Sequence, residues 1–369
     1  MQFDWNNPYP TVRTPVFARN AVSTSHPLAA QAGLRMLLKG GNAVDAIIAT
    51  AAVLTIVEPV SNGLGSDAFA IVSDGNGLHG LNASGAAPAA WNPEYFLKKY
   101  GDAGNGIARQ PERGVDSITV PGAVAGWAML HERFGKLAFA DLFEPAIEIA
   151  RRGHTIAPMV AKKWAAAVPL LKDQPGFAET FMPGGRAPAT GEHFMMANAA
   201  KTFERIAQTK GRDYYEGEIA EAIVTHLQAN GGAHTREDFR QYRPEWVKPI
   251  SQSYAGHELH EIPPNGQGIA ALIALGILQH HDVASLPVDS IESQHLQIEA
   301  MKLAFADIYR YVSDPRSMEV TPEQMLDPSY LASRARLISM DRATHYACGR
   351  PPSGGTVYLT AADESGMMV

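Results

Sequence analysis

Near the C-terminal end of the sequence, Gly354-Gly355-Thr356 brings together the parts of a self-activating nucleophile. A threonine hydroxyl is weak at neutral pH and needs a base beside it. Cutting the Gly355–Thr356 peptide bond would supply one, because the freed α-amine, with a pKa near ~8, sits on the same residue as the hydroxyl. Gly354 and Gly355 lack a Cβ, so the backbone can bend until the hydroxyl reaches the carbonyl just before it. The same residues also have a plainer reading. Ser353-Gly354-Gly355 ends a proline-bearing loop, a β-rich run begins at Thr356, and Asp363 to Gly366 has the composition of a tight turn.

A second polar cluster lies far upstream. Ser61-Asn62-Gly63-Leu64-Gly65-Ser66-Asp67 is a glycine loop that leads into a strand-like stretch, Ala68 to Ser73. A phosphate-cradling loop is followed by a helix whose N–H groups face the anion. Here a strand follows, which favours close backbone packing over nucleotide binding. Glu58, at the end of an apolar run before this loop, suits a structural hydrogen-bonding role. Cys348 is the one cysteine. It excludes an intramolecular disulfide and a multi-cysteine metal site, and reads as a free loop thiol. The histidines are scattered without an i, i+4 pair, so neither a metal nor another cofactor is expected.

The 369 residues are 46% hydrophobic and 19% charged, an ordinary globular composition with a large core. The formal net charge of −7 argues against a nucleic-acid partner, which needs a basic face. Met1 to Pro8 has no positive region followed by an apolar run, so no signal peptide is read there. The longest apolar stretch, Ala43 to Val57, contains Asp45 and stops at Glu58-Pro59, too short and polar to cross a bilayer. No membrane association is expected, and the cytoplasm is the default compartment.

These candidate residues must be held by the elements around them. Val12 to Val22 reads as extended, with a short strand. Ser25 suits the cap of a helix whose apolar face is Leu28, Ala32, Leu34, Met36 and Leu37, and Gly40-Gly41 ends it. Asn42 caps Ala43 to Val57, a helix apolar on nearly every face and therefore buried. The Ala68 strand pairs with Gly77 to Ala83 across a turn carrying Asn76-Gly77. Gly101 to Pro111 reads as a loop. Ala123 to Phe134 and Ala140 to Arg152 read as helices, and residues 155 to 250 as successive amphipathic helices with no catalytic signal. Pro249 to Ile262 has strand character, and Ile269 to Gln279 is a long apolar helix. Ser290 to Val312 is the clearest amphipathic helix, with His295, Ile298, Lys302 and Phe305 along its apolar stripe. Asp307 reads as part of its solvated end.

Several of these segments together resemble the γ-glutamyltranspeptidase family of N-terminal-nucleophile hydrolases. The motifs that carry the resemblance are Ser25-His26-Pro27-Leu28-Ala29, Gly40-Gly41-Asn42-Ala43-Val44-Asp45-Ala46, Val57-Glu58-Pro59 and the glycine loop to Phe69. Val120-Pro121-Gly122-Ala123-Val124-Ala125-Gly126-Trp127, Pro145 to Ala150 and Pro263-Pro264-Asn265-Gly266-Gln267-Gly268 continue it. Their order and spacing match over about residues 20 to 369.

The resemblance implies an α+β fold of the αββα type, here incomplete, with a helix-rich large subunit and short antiparallel strands near both ends. It implies a precursor that cuts itself at Gly355–Thr356, so that residues 1–355 are large-subunit-like and 356–369 begin the small subunit. Thr356 is then the nucleophile and its own amine base. Val357 and Tyr358 stand where the family often has threonine and histidine, departures expected to slow self-cleavage. Ser84 occupies the place of the family's arginine for the substrate carboxylate, which should weaken γ-glutamyl recognition. Ser66 and Asp67 replace glycines usual in the loop and are expected to contact substrate. The partner implied is a small γ-glutamyl or acyl-amide substrate, and the branch resembled is the cytoplasmic one rather than the secreted, glutathione-degrading one. Because Val369 falls just after the first hairpin, the sequence reads as a precursor lacking most of the small subunit, inactive alone. A homo-oligomer, a heterodimer with the missing segment, a glutaryl-type acylase and a non-enzymatic scaffold remain open alternatives.

Overall fold

A computed structural model describes residues 17–351. Two compact units divide them: residues 17–69 with 81–246, and residues 70–80 with 247–351. Helix α1, Pro27–Leu38, is capped by His26, whose Nδ1 accepts from the Leu28 N–H at 3.3 Å. Ser25, the expected cap, instead donates its hydroxyl to Glu58. Residues 17–22 form no strand, and Leu34 lies at the surface rather than on the buried face of α1. Gly40, in the left-handed region, and Gly41 close the helix by donating to the Leu37 and Met36 carbonyls.

Helix α2, Ala43–Val57, has the bounds read from the sequence and is buried along most of its length. Asn42 and Asp45 form a capping box at its start. Asp45, fully buried, also accepts from the backbone N–H groups of Lys136 and Leu137 at 3.0–3.2 Å. One side chain thus satisfies donors at a helix start and in a loop about ninety residues away.

Strands β1, Ala68–Ser73, and β2, Leu78–Ala83, follow. The Asp74 carboxylate accepts from the N–H groups of Asn76 and Gly77 in the turn between them, and Gly75 takes the positive φ. Helix α3, Pro93–Tyr100, leads to a hairpin of β3, Asp102–Gly104, and β4, Ile107–Ala108. Asn105 and Gly106 both have positive φ, 56° and 76°, as an Asn-Gly hairpin turn requires. The stretch read as a loop therefore carries a hairpin.

Helix α4 spans Ala123–Phe134, as expected, and α5 is the shorter Glu144–Arg152, preceded by a 3-10 turn at Phe139–Phe143. The region read as helices alone also contains a two-strand ladder. β5, His154–Thr155, pairs with β6, His193–Phe194, around α6, Pro158–Leu171, and α7, Phe177–Phe181. Helices α8, Ala197–Thr209, α9, Asp213–Glu216, α10, Glu218–Ala229, and α11, Arg236–Gln241, come next. β7, Glu245–Val247, completes a three-stranded sheet of order β1-β2-β7.

The hairpin of β8, Ile250–Tyr254, and β9, His257–Glu261, turns at Ala255 and Gly256, both with positive φ. Helices α12, Ile269–Leu278, α13, Ile291–Tyr311, α14, Pro322–Met325, and α15, Pro328–Ala335, then enclose a core that includes Ile273, Ile277, Leu296, Leu303 and Leu331. The buried face of α13 is rotated from the expected stripe: Ile298 is 55% exposed, whereas Glu299 is 1% and Asp307 0% exposed. Asp307 is thus no solvated helix end. Among the described residues no helix is long and apolar enough to cross a membrane.

His154 sits beside the small apolar cluster of Ile156, Val160, Trp164 and Phe194. Its ring is 5% exposed, neither nitrogen has a partner among the described residues, and the His26 ring lies edge-on at 6.5 Å. Burial, with smaller contributions from His26 and His193, pushes its pKa down to about 4. The folded protein therefore holds His154 neutral, while the unfolded chain protonates it near ~6.5. Between these values the unfolded state binds more protons, so stability falls as pH drops from ~6.5 towards 4. We expect His154→Leu to abolish about 2–3 kcal/mol of the stability lost between pH 6.5 and 4.5, measured by urea unfolding. Equal pH slopes for the two proteins would contradict this.

Candidate active site

Within the first unit three loops meet backbone to backbone. Gly85 and Gly122 make this possible: a Cβ on Gly122 would collide with the Ala83 carbonyl oxygen, and one on Gly85 with the Val120 carbonyl oxygen. The Val120 N–H donates to the Ala86 carbonyl at 2.9 Å across the same contact. The Ser66 carbonyl accepts from the N–H groups of Gly122 and Ala123 at 3.2 and 2.9 Å. These are two of the donors that a helix leaves unpaired at its start. The glycine loop therefore caps α4, whose own cap position, Gly122, has no side chain for the purpose.

The three expected substrate residues of this unit are drawn together by that contact. Ser66 closes its loop by accepting from the Gly63 N–H at its hydroxyl, 2.9 Å, and donating its own N–H to the Gly63 carbonyl. Asp67 is exposed and accepts from the Gly85 N–H at 2.8 Å. Ser84, half-buried, donates its N–H to the Asn82 side chain at 2.9 Å. The strand after the glycine loop makes it a backbone-packing device, in agreement with its sequence. Glu58, expected to hydrogen-bond structurally, takes the Ser25 hydroxyl. Gly355 and Thr356 lie outside the described residues.

Tyrosines that the sequence reading passed over lock the arrangement. Tyr214 donates to the Leu64 carbonyl at 2.8 Å, Tyr215 to the Pro121 carbonyl at 2.7 Å and Tyr242 to the Ser84 carbonyl at 2.9 Å. Each phenol thus holds a different loop. The Tyr215 oxygen also accepts from the Ala125 N–H, and its ring stacks on Tyr242 with centroids 5.7 Å apart. Burial pushes all three phenols above their ordinary range, and the Asp67 charge adds to the effect on Tyr215 and Tyr242. They remain neutral donors at physiological pH. Tyr214 and Tyr215 are fixed through Asp213, which receives a two-bond fork from Arg205 at 2.9 Å and the N–H groups of Glu218 and Ile219. The Arg205 fork, with those N–H groups, holds the Asp213 carboxyl below the usual range. The one sequence signal was a pair of adjacent aromatics between Gly211 and Gly217, in a stretch too short for an independent helix.

Cys348 is exposed and unbridged. Among the described residues no group of three or more His, Cys, Asp or Glu side chains is placed to hold a metal ion. The arrangement presents a carboxylate and two serines on a rigid, glycine-packed platform, which suits recognition of a polar substrate group rather than bond cleavage by itself.

The mixed helix and short-strand fold matches solved acylase and transpeptidase structures. The crystal structure of a cephalosporin acylase from Bacillus halodurans superposes with a TM-score of 0.87 at 44% identity, covering 100% of this chain and 68% of that one. In sequence, the chain is 35% identical over 363 residues to the glutathione hydrolase-like YwrD proenzyme of Bacillus subtilis (strain 168), covering 95% of this chain and 66% of that protein. It is 32% identical over 361 residues to the acylase ACY 1 proenzyme of Pseudomonas sp. (strain SE83), covering 95% and 64%. A model of the gamma-glutamyltranspeptidase family matches residues 29–369, and the chain belongs to that family. It spans just under two thirds of the length of these curated relatives.

Replacing Tyr215 by Phe leaves the Pro121 carbonyl and the Ala125 N–H without their partner, at a cost of about 1–3 kcal/mol. Gly122→Ala forces the loops apart and is expected to cost at least as much. Urea unfolding checks both, and a change below about 0.5 kcal/mol in either would contradict the platform described.

Proposed function

We propose that the chain is the precursor of an amidohydrolase or acyltransferase whose nucleophile is Thr356, exposed by self-cleavage after Gly355. The Thr356 hydroxyl adds to the Gly355 carbonyl and the C–N bond breaks. The nitrogen stays on Thr356 as an amine, and water splits the resulting ester. In turnover the same hydroxyl attacks a substrate amide, the amine takes up its proton, and the leaving amine departs. An acyl ester on Thr356 remains, which water or a second amine resolves. The observation that carries this reading is the family match, which runs through residue 369 and so spans Gly355 and Thr356. The relatives' description as proenzymes supports it.

The acyl group is the open element, and here a second reading has its own support. With Ser84 in place of an arginine, the site lacks the charge-assisted fork that would grip an α-carboxylate. The similarity to a cephalosporin acylase at 44% identity points the same way. This reading has Ser66, Asp67 and Ser84 line the substrate platform and accept acyl amides without a terminal carboxylate alongside γ-glutamyl amides, while a glutaryl-type acyl group rests on the acylase similarity alone. A location in the cytoplasm belongs to this proposal and draws on the single cysteine.

Incubation of the full-length protein, small-subunit segment included, with a slowly deacylating amide, followed by peptide mass spectrometry, tests the mechanism. The acyl mass is expected on a peptide that begins at Thr356, and Thr356→Ala is expected to yield no adduct and no amidase activity. Unchanged activity in Thr356→Ala would remove this residue from the chemistry. Ser84→Arg is expected to raise kcat/KM for a γ-glutamyl amide about tenfold or more over wild type, and an unaltered ratio of γ-glutamyl to uncharged-acyl turnover would remove Ser84 from recognition.

A further inference from the structure

Residues 343–350 have neither helix nor strand, yet α13 and α15 grip the chain around them repeatedly. His295 Nε2 lies 2.8 Å from the Ser339 carbonyl. Glu299 accepts from the Thr344 N–H at 3.1 Å and the Tyr346 hydroxyl at 2.6 Å, and pairs with Lys302. Arg334 donates to the Ala347 carbonyl at 2.9 Å. Asp307 accepts from the Gly349 N–H at 2.7 Å and the Tyr330 hydroxyl at 2.8 Å, and pairs with Arg334 at 3.0 Å. Tyr311 donates to the Gly349 carbonyl at 2.7 Å.

Glu299 and Asp307 stand eight residues apart on α13, about 12 Å along its axis. Burying two carboxylates is costly, and apolar side chains would cover the helix more cheaply. What carboxylates add is direction and register, because each fixes particular backbone N–H groups. Gly349 is fitted to this anchor: a Cβ there would collide with the Tyr330 hydroxyl. Gly349 lies seven residues before Thr356 (356 − 349 = 7), a span of at most about 25 Å.

We propose that Glu299 and Asp307 are positioning residues for self-cleavage: by pinning Thr344 to Gly349 along α13 they set the origin and heading of the chain that carries the Gly355–Thr356 bond. The inference rests on the cleavage reading given under Proposed function. Losing the hold on Gly349 moves the last pinned residue back to Ala347 and lengthens the tether from seven to nine residues (356 − 347 = 9). The larger effect is the loss of orientation, since a displacement of an ångström slows an intramolecular attack by orders of magnitude. Once the bond is cut, Thr356 is no longer joined to Gly349, and the anchor ceases to act on the nucleophile.

The test uses the full-length protein, small-subunit segment included, and follows the appearance of the Thr356 amino terminus by mass spectrometry over time. Gly349→Ala displaces the Gly349 backbone from Asp307, and separately the double variant Tyr311→Phe with Tyr346→Phe removes the hydroxyl contacts to the Gly349 carbonyl and to Glu299, both without stranding a buried charge. We expect cleavage to slow about tenfold or more in each. Hydrogen exchange at residues 344–349 should quicken, while amidase turnover per cleaved molecule stays at the wild-type value. Cleavage within twofold of wild type in both folded variants would overturn the proposal and leave the cleavage reading intact. A wild-type chain that is never cut would overturn both. A variant that fails to fold is replaced by the other, and if turnover per cleaved molecule falls in step with cleavage, the anchor is a general structural support and the proposal is lost.

Discussion

The contact of backbone on backbone at Gly85 and Gly122 governs the candidate platform. Only residues without a Cβ allow the Ala83 and Val120 carbonyls to lie where they do. From that approach follow the capping of α4 by the Ser66 carbonyl and the bond from Gly85 to Asp67. The phenols of Tyr214, Tyr215 and Tyr242 then saturate carbonyls that the loops would otherwise bury unpaired. Asp67, the exposed member of the three residues, is held over this backbone by its bond from the Gly85 N–H.

The second unit solves a different problem with similar means. Its core of α12, α13 and α15 is apolar, but the face of α13 turned towards residues 344–349 carries Glu299 and Asp307. An irregular segment has no ladder of its own to satisfy its N–H groups, so side chains must do it. In both units, buried carboxylates and hydroxyls fix loops at defined positions: Asp45 and Asp213 in one, Glu299 and Asp307 in the other.

Much of this was legible in the sequence. The bounds of α2 and α4, the cap at Asn42 and the strand character of residues 249–262 rest on local signals that tertiary contacts do not overturn. The Asn105-Gly106 hairpin was equally local and was overlooked between two glycines. The cap of α1 went to His26 because Glu58, distant in sequence, takes the Ser25 hydroxyl. The rotated face of α13 had no local signal at all. Its buried carboxylates make sense only with partners about forty residues on, which periodicity cannot supply. The tyrosines of the platform were missed for the same reason, since their partners are carbonyls of remote loops.

End-group analysis of the purified wild-type chain is the most direct measurement of the central claim. Two polypeptides are expected, one ending at Gly355 and the other opening with a free amine on Thr356, in equal amounts. An amide-hydrolysing protein that remains a single uncut polypeptide would contradict it.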